Sequence, residues 1–178
     1  MSRLTEGLAE VCRQRLLEEK WLLAPSIRAG HQWLEVITRS GLPVANVRTK
    51  TFKSMALELA APEMVRRGAA LASERAGLVL ADGVFRRMKQ SGLAYLGALQ
   101  AGERLAAAIH RSIDAMRLAG LPTRAVTPDK FEVEAKGREL LRIQDEYLDE
   151  LRAHGLVDYA EVLWLAAARL KSDPAALP

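Results

Sequence analysis

The sequence predicts a helix-rich α/β fold in which a small parallel sheet carries a large helical insertion. Three observations predict it. Lys20 to Gly41, KWLLAPSIRAGHQWLEVITRSG, reads as strand, turn and helix, and a second β-like run, Val44-Ala45-Asn46-Val47-Arg48, follows within three residues. Strand–helix–strand is the unit that builds parallel sheets and places ligands at strand C-terminal ends. From Pro62 to Gly155 helical periodicity continues without a further convincing strand, in a composition with 5% aromatics dominated by leucine and alanine.

The elements follow in order. Residues 2–19 read as an amphipathic helix with Leu4, Leu8, Val11, Cys12 and Leu16 at helical spacing. The first strand is Trp21-Leu22-Leu23-Ala24, stopped by Pro25-Ser26; the helix after it puts Ile27, Gly30, Trp33, Leu34 and Ile37 on one face. Arg48-Thr49-Lys50-Thr51-Phe52-Lys53 leaves the second strand and enters a helix with Thr51 as N-cap and Phe52, Met55, Ala56 and Leu59 as its apolar stripe. Ala61-Pro62 is expected to break it. Three longer helices follow: about 74–90, burying Leu78, Ala81, Phe85 and Met88; about 102–119, burying Leu105, Ile109, Ile113 and Met116; and about 136–153, burying Leu140, Ile143, Tyr147 and Leu151. Leu121 to Val126 reads as a connector before Thr127-Pro128. Asp158 opens a last helix that Ser172-Asp173-Pro174 stops.

Composition bounds the function. At 178 residues the chain suits one domain, or one domain with an insertion. The single cysteine, Cys12, excludes an internal disulfide and suits a reducing cytoplasm; its apolar helix face makes it a core residue. No signal peptide is visible, and the longest uncharged stretch, Ser91 to Gly102, is too short to span a bilayer, so no membrane partner is expected. Residues 1–60 carry a net +3, 61–130 a net +5 and 131–178 a net −4. A basic front and an acidic tail point to a polyanion, or to ordinary solvated helix faces.

The turn after the first strand is where a nucleotide phosphate would sit, and it lacks the residues to hold one. A phosphate loop needs clustered glycines, a lysine and a magnesium-binding hydroxyl. Here Pro25, Ser26, Arg28 and Gly30 form a turn with one glycine, no lysine and a proline that removes a donor. The chain is therefore expected to bind no cofactor and not to hydrolyse ATP.

Other chemistry is equally sparse. His31 has no second histidine or carboxylate at ligand spacing, so no metal is expected there. His110 reads as a surface residue. Asp145, Glu146, Asp149 and Glu150 lie on consecutive turns of one helix and read as a solvated face rather than a magnesium site. The best local candidate for nucleic-acid contact is the corner Arg48, Lys50, Thr51, Phe52 and Lys53. Cations, a hydroxyl and an aromatic at a strand end and helix N-terminus can hold a phosphate and stack a base. The competing reading puts Phe52 in the core and the cations in solvent.

Two segments together carry a family resemblance. KWLLAPSIRAGHQWLEVI with VRTKTFKSMALELA resembles the opening of AddB/RexB-type helicase–nuclease subunits. GRELLRIQDEYLDELRAHGLVDYAEVLWLAAARL, above all its DYAEVL run, is similar to the segment that returns these proteins, and UvrD-like superfamily 1 helicases, from a helical insertion to a RecA-like core. The resemblance implies a partial RecA-like (P-loop NTPase-like) sheet over 1–62, a helical insertion over 63–154 and a return helix over 155–178, the polypeptide continuing beyond. It further implies a subunit of a bacterial complex that processes broken DNA ends, with a decayed nucleotide loop and a helicase partner subunit. Thr51 and Phe52 would touch single-stranded DNA, with Lys50 and Lys53 nearby. The alternative is a helical protein-interaction domain with no nucleic-acid role.

Overall fold

The computed structural model describes residues 3–121 and 125–177. Residue 2 of the first expected helix, 122–124 of the expected connector and residue 178 lie outside them. Among the described residues seven α-helices and four strands follow in order. They are α1 (Arg3–Gln14), β1 (Lys20–Leu23), α2 (Ile27–Arg39), β2 (Val47–Lys50), α3 (Phe52–Arg66) and β3 (Ala70–Leu71), then α4 (Glu74–Gln90), α5 (Glu103–Leu118), α6 (Glu134–Ala153), β4 (Leu156–Val157) and α7 (Tyr159–Ser172). The chain divides into two compact units, Met1–Ala61 with Leu165–Pro178, and Pro62–Trp164. No helix among the described residues is long and apolar enough to cross a membrane. The protein is thus helix-rich with small parallel sheets.

In the first unit β1 and β2 pair in parallel, Lys20 beside Val47 through Leu23 beside Lys50. Flanking backbone bonds run from Lys20 N–H to Asn46 O (2.8 Å) and from Ala24 N–H to Lys50 O (2.9 Å). The second strand starts at Val47 rather than Val44 because Asn46 takes φ +52°, a left-handed conformation that asparagine tolerates and an extended strand does not. Its Nδ2 donates to Leu17 O at 2.8 Å, which fixes the kink. The first helix stops at Gln14, short of the expected 19. It buries Thr5, Ala9 and Cys12 while Leu4 and Val11 stay exposed, so the inward face is the one with small side chains, turned about one residue from the leucine stripe. Burial pushes the Cys12 thiol up, against an opposing pull from Lys20.

Pro62 does not end α3, which runs on to Arg66. Pro62 is exposed, whereas Met64, two residues on, is buried. The final turn closes through Ala69 N–H to Met64 O at 2.9 Å. Burial of Met64 and that closure offset the one backbone bond a proline removes.

The second unit is built from α4, α5 and α6 and is fastened by a strand pair absent from the sequence expectation. Ala70 and Leu71 of β3 pair in parallel with Leu156 and Val157 of β4. Val84, Phe85, Ile113, Ile143 and Tyr147 form the centre of the core. His110, expected at the surface, is buried. It fits because α4 has a glycine opposite it: a Cβ on Gly77 would lie 2.5 Å from His110 Nε2 and 3.0 Å from Tyr147 Oη. The imidazole stays hydrogen-bonded through Nε2, 3.3 Å from Tyr147 Oη, and its Nδ1 lies 3.5 Å from an Asp114 carboxylate oxygen. Burial raises both the Tyr147 phenol and the Asp114 carboxyl, the latter opposed by His110.

Two buried carboxylates hold this unit's loops to its helices. Glu139 of α6 accepts N–H bonds from Ala94 (2.7 Å), Tyr95 (2.8 Å) and Leu96 (2.7 Å), capping the short 3-10 turn at Leu96–Ala98. Asp158, read from sequence as a simple first-turn acid, does more. Its Oδ1 caps α7 by accepting from Glu161 N–H at 2.7 Å, and its two oxygens take Nε and Nη2 of Arg117 in a bidentate pair, the Nη2 contact at 2.9 Å. Both partners are almost fully buried, with Arg117 3% and Asp158 5% exposed. The carboxylates of α6 expected to be solvated are so in part: Asp145 and Glu146 are exposed, whereas Glu150 binds Arg87 at 2.5 Å.

Asp158→Asn will remove the bidentate counter-charge of buried Arg117, leaving only Glu161 at 3.5 Å, and will destabilise the protein by about 3 kcal/mol in urea unfolding. Glu139→Gln will strand at least one of three backbone donors, at a cost of about 1–3 kcal/mol. Burial alone would push the Glu139 carboxyl up, but the N–H groups of Tyr95, Leu96 and Ala94 outweigh it and hold it below the usual range. Its stabilising effect is therefore complete above the unfolded-state value of about 4.3 and is lost as pH falls through the lower folded-state value. Unfolding free energies measured between pH 6 and pH 3 will fall less steeply in Glu139→Gln than in the natural protein.

Candidate functional site

The carboxyl end of the β1–β2 sheet gathers the residues singled out from sequence. The two strands are parallel neighbours, so the turns leaving them, Ala24–Ser26 and Thr51, lie side by side, and α2 and α3 start there. Ser26 caps α2, its Oγ accepting from Ala29 N–H at 3.1 Å. Thr51 caps α3 reciprocally: Ser54 N–H donates to Thr51 Oγ1 (3.1 Å) and Thr51 N–H to Ser54 Oγ (2.9 Å). Thr51 is the N-cap its position implied.

Of the turn residues, Pro25, Ser26 and Arg28 are exposed and Gly30 is buried. Gly30 serves packing. A Cβ there would lie 2.2 Å from Thr49 Cγ2 and 3.2 Å from Ala24 Cβ, so only glycine lets α2 rest on β2. Ser26 spends its hydroxyl on the cap. Neither is disposed as a phosphate loop uses a glycine and a serine.

The basic corner divides. Arg48 and Lys50 share one face of β2, in register with Trp21 and Leu23 of β1. Arg48 Nε pairs with Glu19 at 3.2 Å, and Glu19 also accepts from Trp21 Nε1 at 3.0 Å. Lys50 is paired with Glu58 of α3, its Nζ 5.0 Å from the centre of the Trp21 ring, and its side chain is only 16% exposed. Phe52 and Lys53 occupy the first turn of α3 and point the other way in accessibility: Lys53 is exposed and Phe52 is 59% exposed, so Phe52 is not a core residue. Leu23 at the end of β1 and Ile27 at the start of α2 are also exposed, giving the same end an apolar rim.

Electrostatics single out this end. Every other α-helix among the described residues has an acidic residue in its first turn, namely Glu6, Glu74, Glu103, Glu134 and Glu161. α2 and α3 have none, and their first turns carry Arg28 and Lys53 instead. The partial positive charge at two adjacent helix N-termini is left uncompensated. Unit by unit, the first has eleven Lys/Arg against seven Asp/Glu and the second fifteen of each, so the whole net charge of +4 belongs to the first. The basic excess of 61–130 is met within the second unit by the acidic stretch 131–164, as in Arg87–Glu150, Arg117–Asp158 and Arg67–Glu161.

Trp21, Glu19 and Glu58 were not singled out from sequence. Alternation along β1 could have placed Trp21 opposite Arg48; nothing in the spacing places Glu58 on Lys50. Among the described residues no three His, Cys, Asp or Glu side chains are grouped as a metal site requires. No protein-family model, curated protein or solved structure matches this chain.

Gly30→Ala will drive a methyl group into Thr49 and cost about 1–3 kcal/mol of stability. Adding Thr49→Ser, which removes Cγ2, will recover most of that loss, and a double-mutant cycle read by chemical denaturation measures the coupling.

Proposed function

We propose that the first unit is a RecA-like, helicase-type module that contacts single-stranded DNA or break ends without hydrolysing ATP, acting in the cytoplasm beside a helicase partner subunit in double-strand-break repair. The observation that carries this reading is the pair of neighbouring helix N-termini at one sheet end, free of first-turn carboxylates and flanked by Arg28, Lys53 and the exposed ring of Phe52. Backbone and cation charge there suits phosphate, and an exposed ring suits a base. The absence of a lysine from the Pro25–Gly30 turn and the packing role of Gly30 support binding without hydrolysis. The resemblance to AddB/RexB-type subunits supplies the biological setting, and with it the proposal that the chain is one part of a larger helicase–nuclease subunit.

A second reading is a protein-interaction module with no nucleic-acid role. It draws on a specific observation: Arg48 and Lys50 are tied to Glu19 and Glu58, while Leu23, Ile27 and Phe52 form an exposed apolar rim. Under it, the partner subunit rather than DNA covers the sheet end.

Fluorescence anisotropy with a labelled oligothymidylate separates the two. On the DNA reading, log affinity falls linearly with log salt at a slope of about −0.7 per phosphate contact, Lys53→Gln flattens that slope, and Phe52→Ala costs about 1–3 kcal/mol. Lys50→Ala has only a small effect, because Lys50 starts from an internal ion pair and its side chain is 16% exposed. Magnesium–ATP produces no thermal stabilisation. Absence of binding at low salt leaves the interaction module standing.

A further inference from the structure

A shallow apolar groove of about 440 Å³ on the second unit takes no part in either reading of the first. It runs along the first two turns of α4 and has Leu156 of β4 as its far wall. Arg75 and Val79 are neighbours at i and i+4 there, as are Ala76 and Leu80. The floor is firm, because Leu80 and Leu156 pack against the core cluster of this unit. Val79 turns outward and is 62% exposed, an apolar side chain that the described residues leave uncovered.

Charge around the groove has one sign. No carboxylate lines it among the described residues. Ser73 Oγ accepts from Ala76 N–H at 3.1 Å, and His154 Nδ1 lies 2.8 Å from Glu150 O and 3.6 Å from a Glu150 carboxylate oxygen. Both are engaged by their own neighbours. Arg75 is not. The other arginines of α4 have carboxylates, Arg86 with Asp82 and Arg87 with Glu150. Arg75 makes no ion pair and no side-chain hydrogen bond among the described residues. Glu74, next to it in the chain, is about 100° away around the helix and does not line the groove. The exposed guanidinium thus turns its donors to water beside an apolar surface.

A groove this shallow encloses no small molecule, but it can receive side chains from a facing protein surface. A guanidinium one turn from an exposed valine is matched by a carboxylate one turn from an apolar side chain, a spacing that a helix supplies at i and i+4. We propose that this groove docks an amphipathic helix of a partner protein that carries acidic residues along the edge of its apolar stripe. An aliphatic side chain of that helix settles against Val79, Leu80 and Leu156, and its carboxylate takes Arg75. The proposal uses no residue of the first unit and stands independently of both readings given for it.

The test uses the whole chain, labelled with ¹⁵N, and two synthetic 15-residue helical peptides sharing a leucine stripe, one flanked by glutamate and the other by lysine. Dissociation constants are read from the backbone amide shifts of Ala76, Val79, Leu80 and Leu156. The glutamate peptide will shift these amides saturably with a Kd below about 1 mM, and the lysine peptide will bind about fivefold more weakly. Arg75→Glu will reverse that preference, and Val79→Asp will abolish saturation by the glutamate peptide. Both side chains are on the surface, so circular dichroism will show both variants folded. Shifts confined to the first unit, equal affinity of the two peptides for the groove, or a preference unchanged in Arg75→Glu would overturn the proposal.

Discussion

A parallel pair of strands leaves the chain no short way back, and β1 and β2 are such a pair. Everything between Ala24 and Asn46 must therefore cross the sheet, and α2 is the crossover. How closely it can lie is decided at one point, where Gly30 meets Thr49. That contact sets the height of α2 above β2, and the pairing sets α2 and α3 side by side at their N-termini. The candidate site is a product of these two constraints. Gly30, Ser26 and Thr51 are spent on building this end, one as a packing contact and two as caps, while Arg28 and Phe52 stay exposed beside them.

Charge is sorted by the fold rather than along the chain. The sequence shows a basic middle followed by an acidic tail, yet the middle and the tail as far as Trp164 are partners within one neutral unit. The remaining excess sits on the smaller unit, the one that carries β1 and β2. Within it, pairing again reduces what a partner could reach: Arg48 and Lys50 have carboxylates at hand, one of them against an indole ring. A lysine held between Glu58 and Trp21 is a poor first contact for a polyanion, because both partners must be given up.

The strand–helix–strand order was legible because each element has its own signal: a short apolar run, a proline–serine stop and a 3.6-residue period. The long helices were legible for the same reason, and Thr51 followed from its position before an apolar stripe. What failed to show depends on distance in sequence. Glu58 on Lys50, Asp158 on Arg117 and Glu139 on the Ala94–Leu96 turn are meetings of residues whose spacing carries no period. His110 looked superficial beside Arg111, and only the glycine across from it in α4 made room inside. Pro62 misled because its cost is local while the compensating burial of Met64 and the Ala69 closure come later. The strands β3 and β4 are two residues each, too short for alternation to register.

That last pair has a kinetic side. Ala70 and Leu156 are joined through all three long helices of their unit, and the ladder between β3 and β4 is bounded by bonds from Ala70 N–H to Gly155 O and Ala72 N–H to Val157 O. Closing so long a loop for so few bonds is unfavourable until the intervening chain is already compact. Helices can nucleate from their own neighbours on the submicrosecond scale, whereas this seam must await their collapse. The unit is thus expected to assemble from its middle outward, with the stitch that joins its two ends forming last.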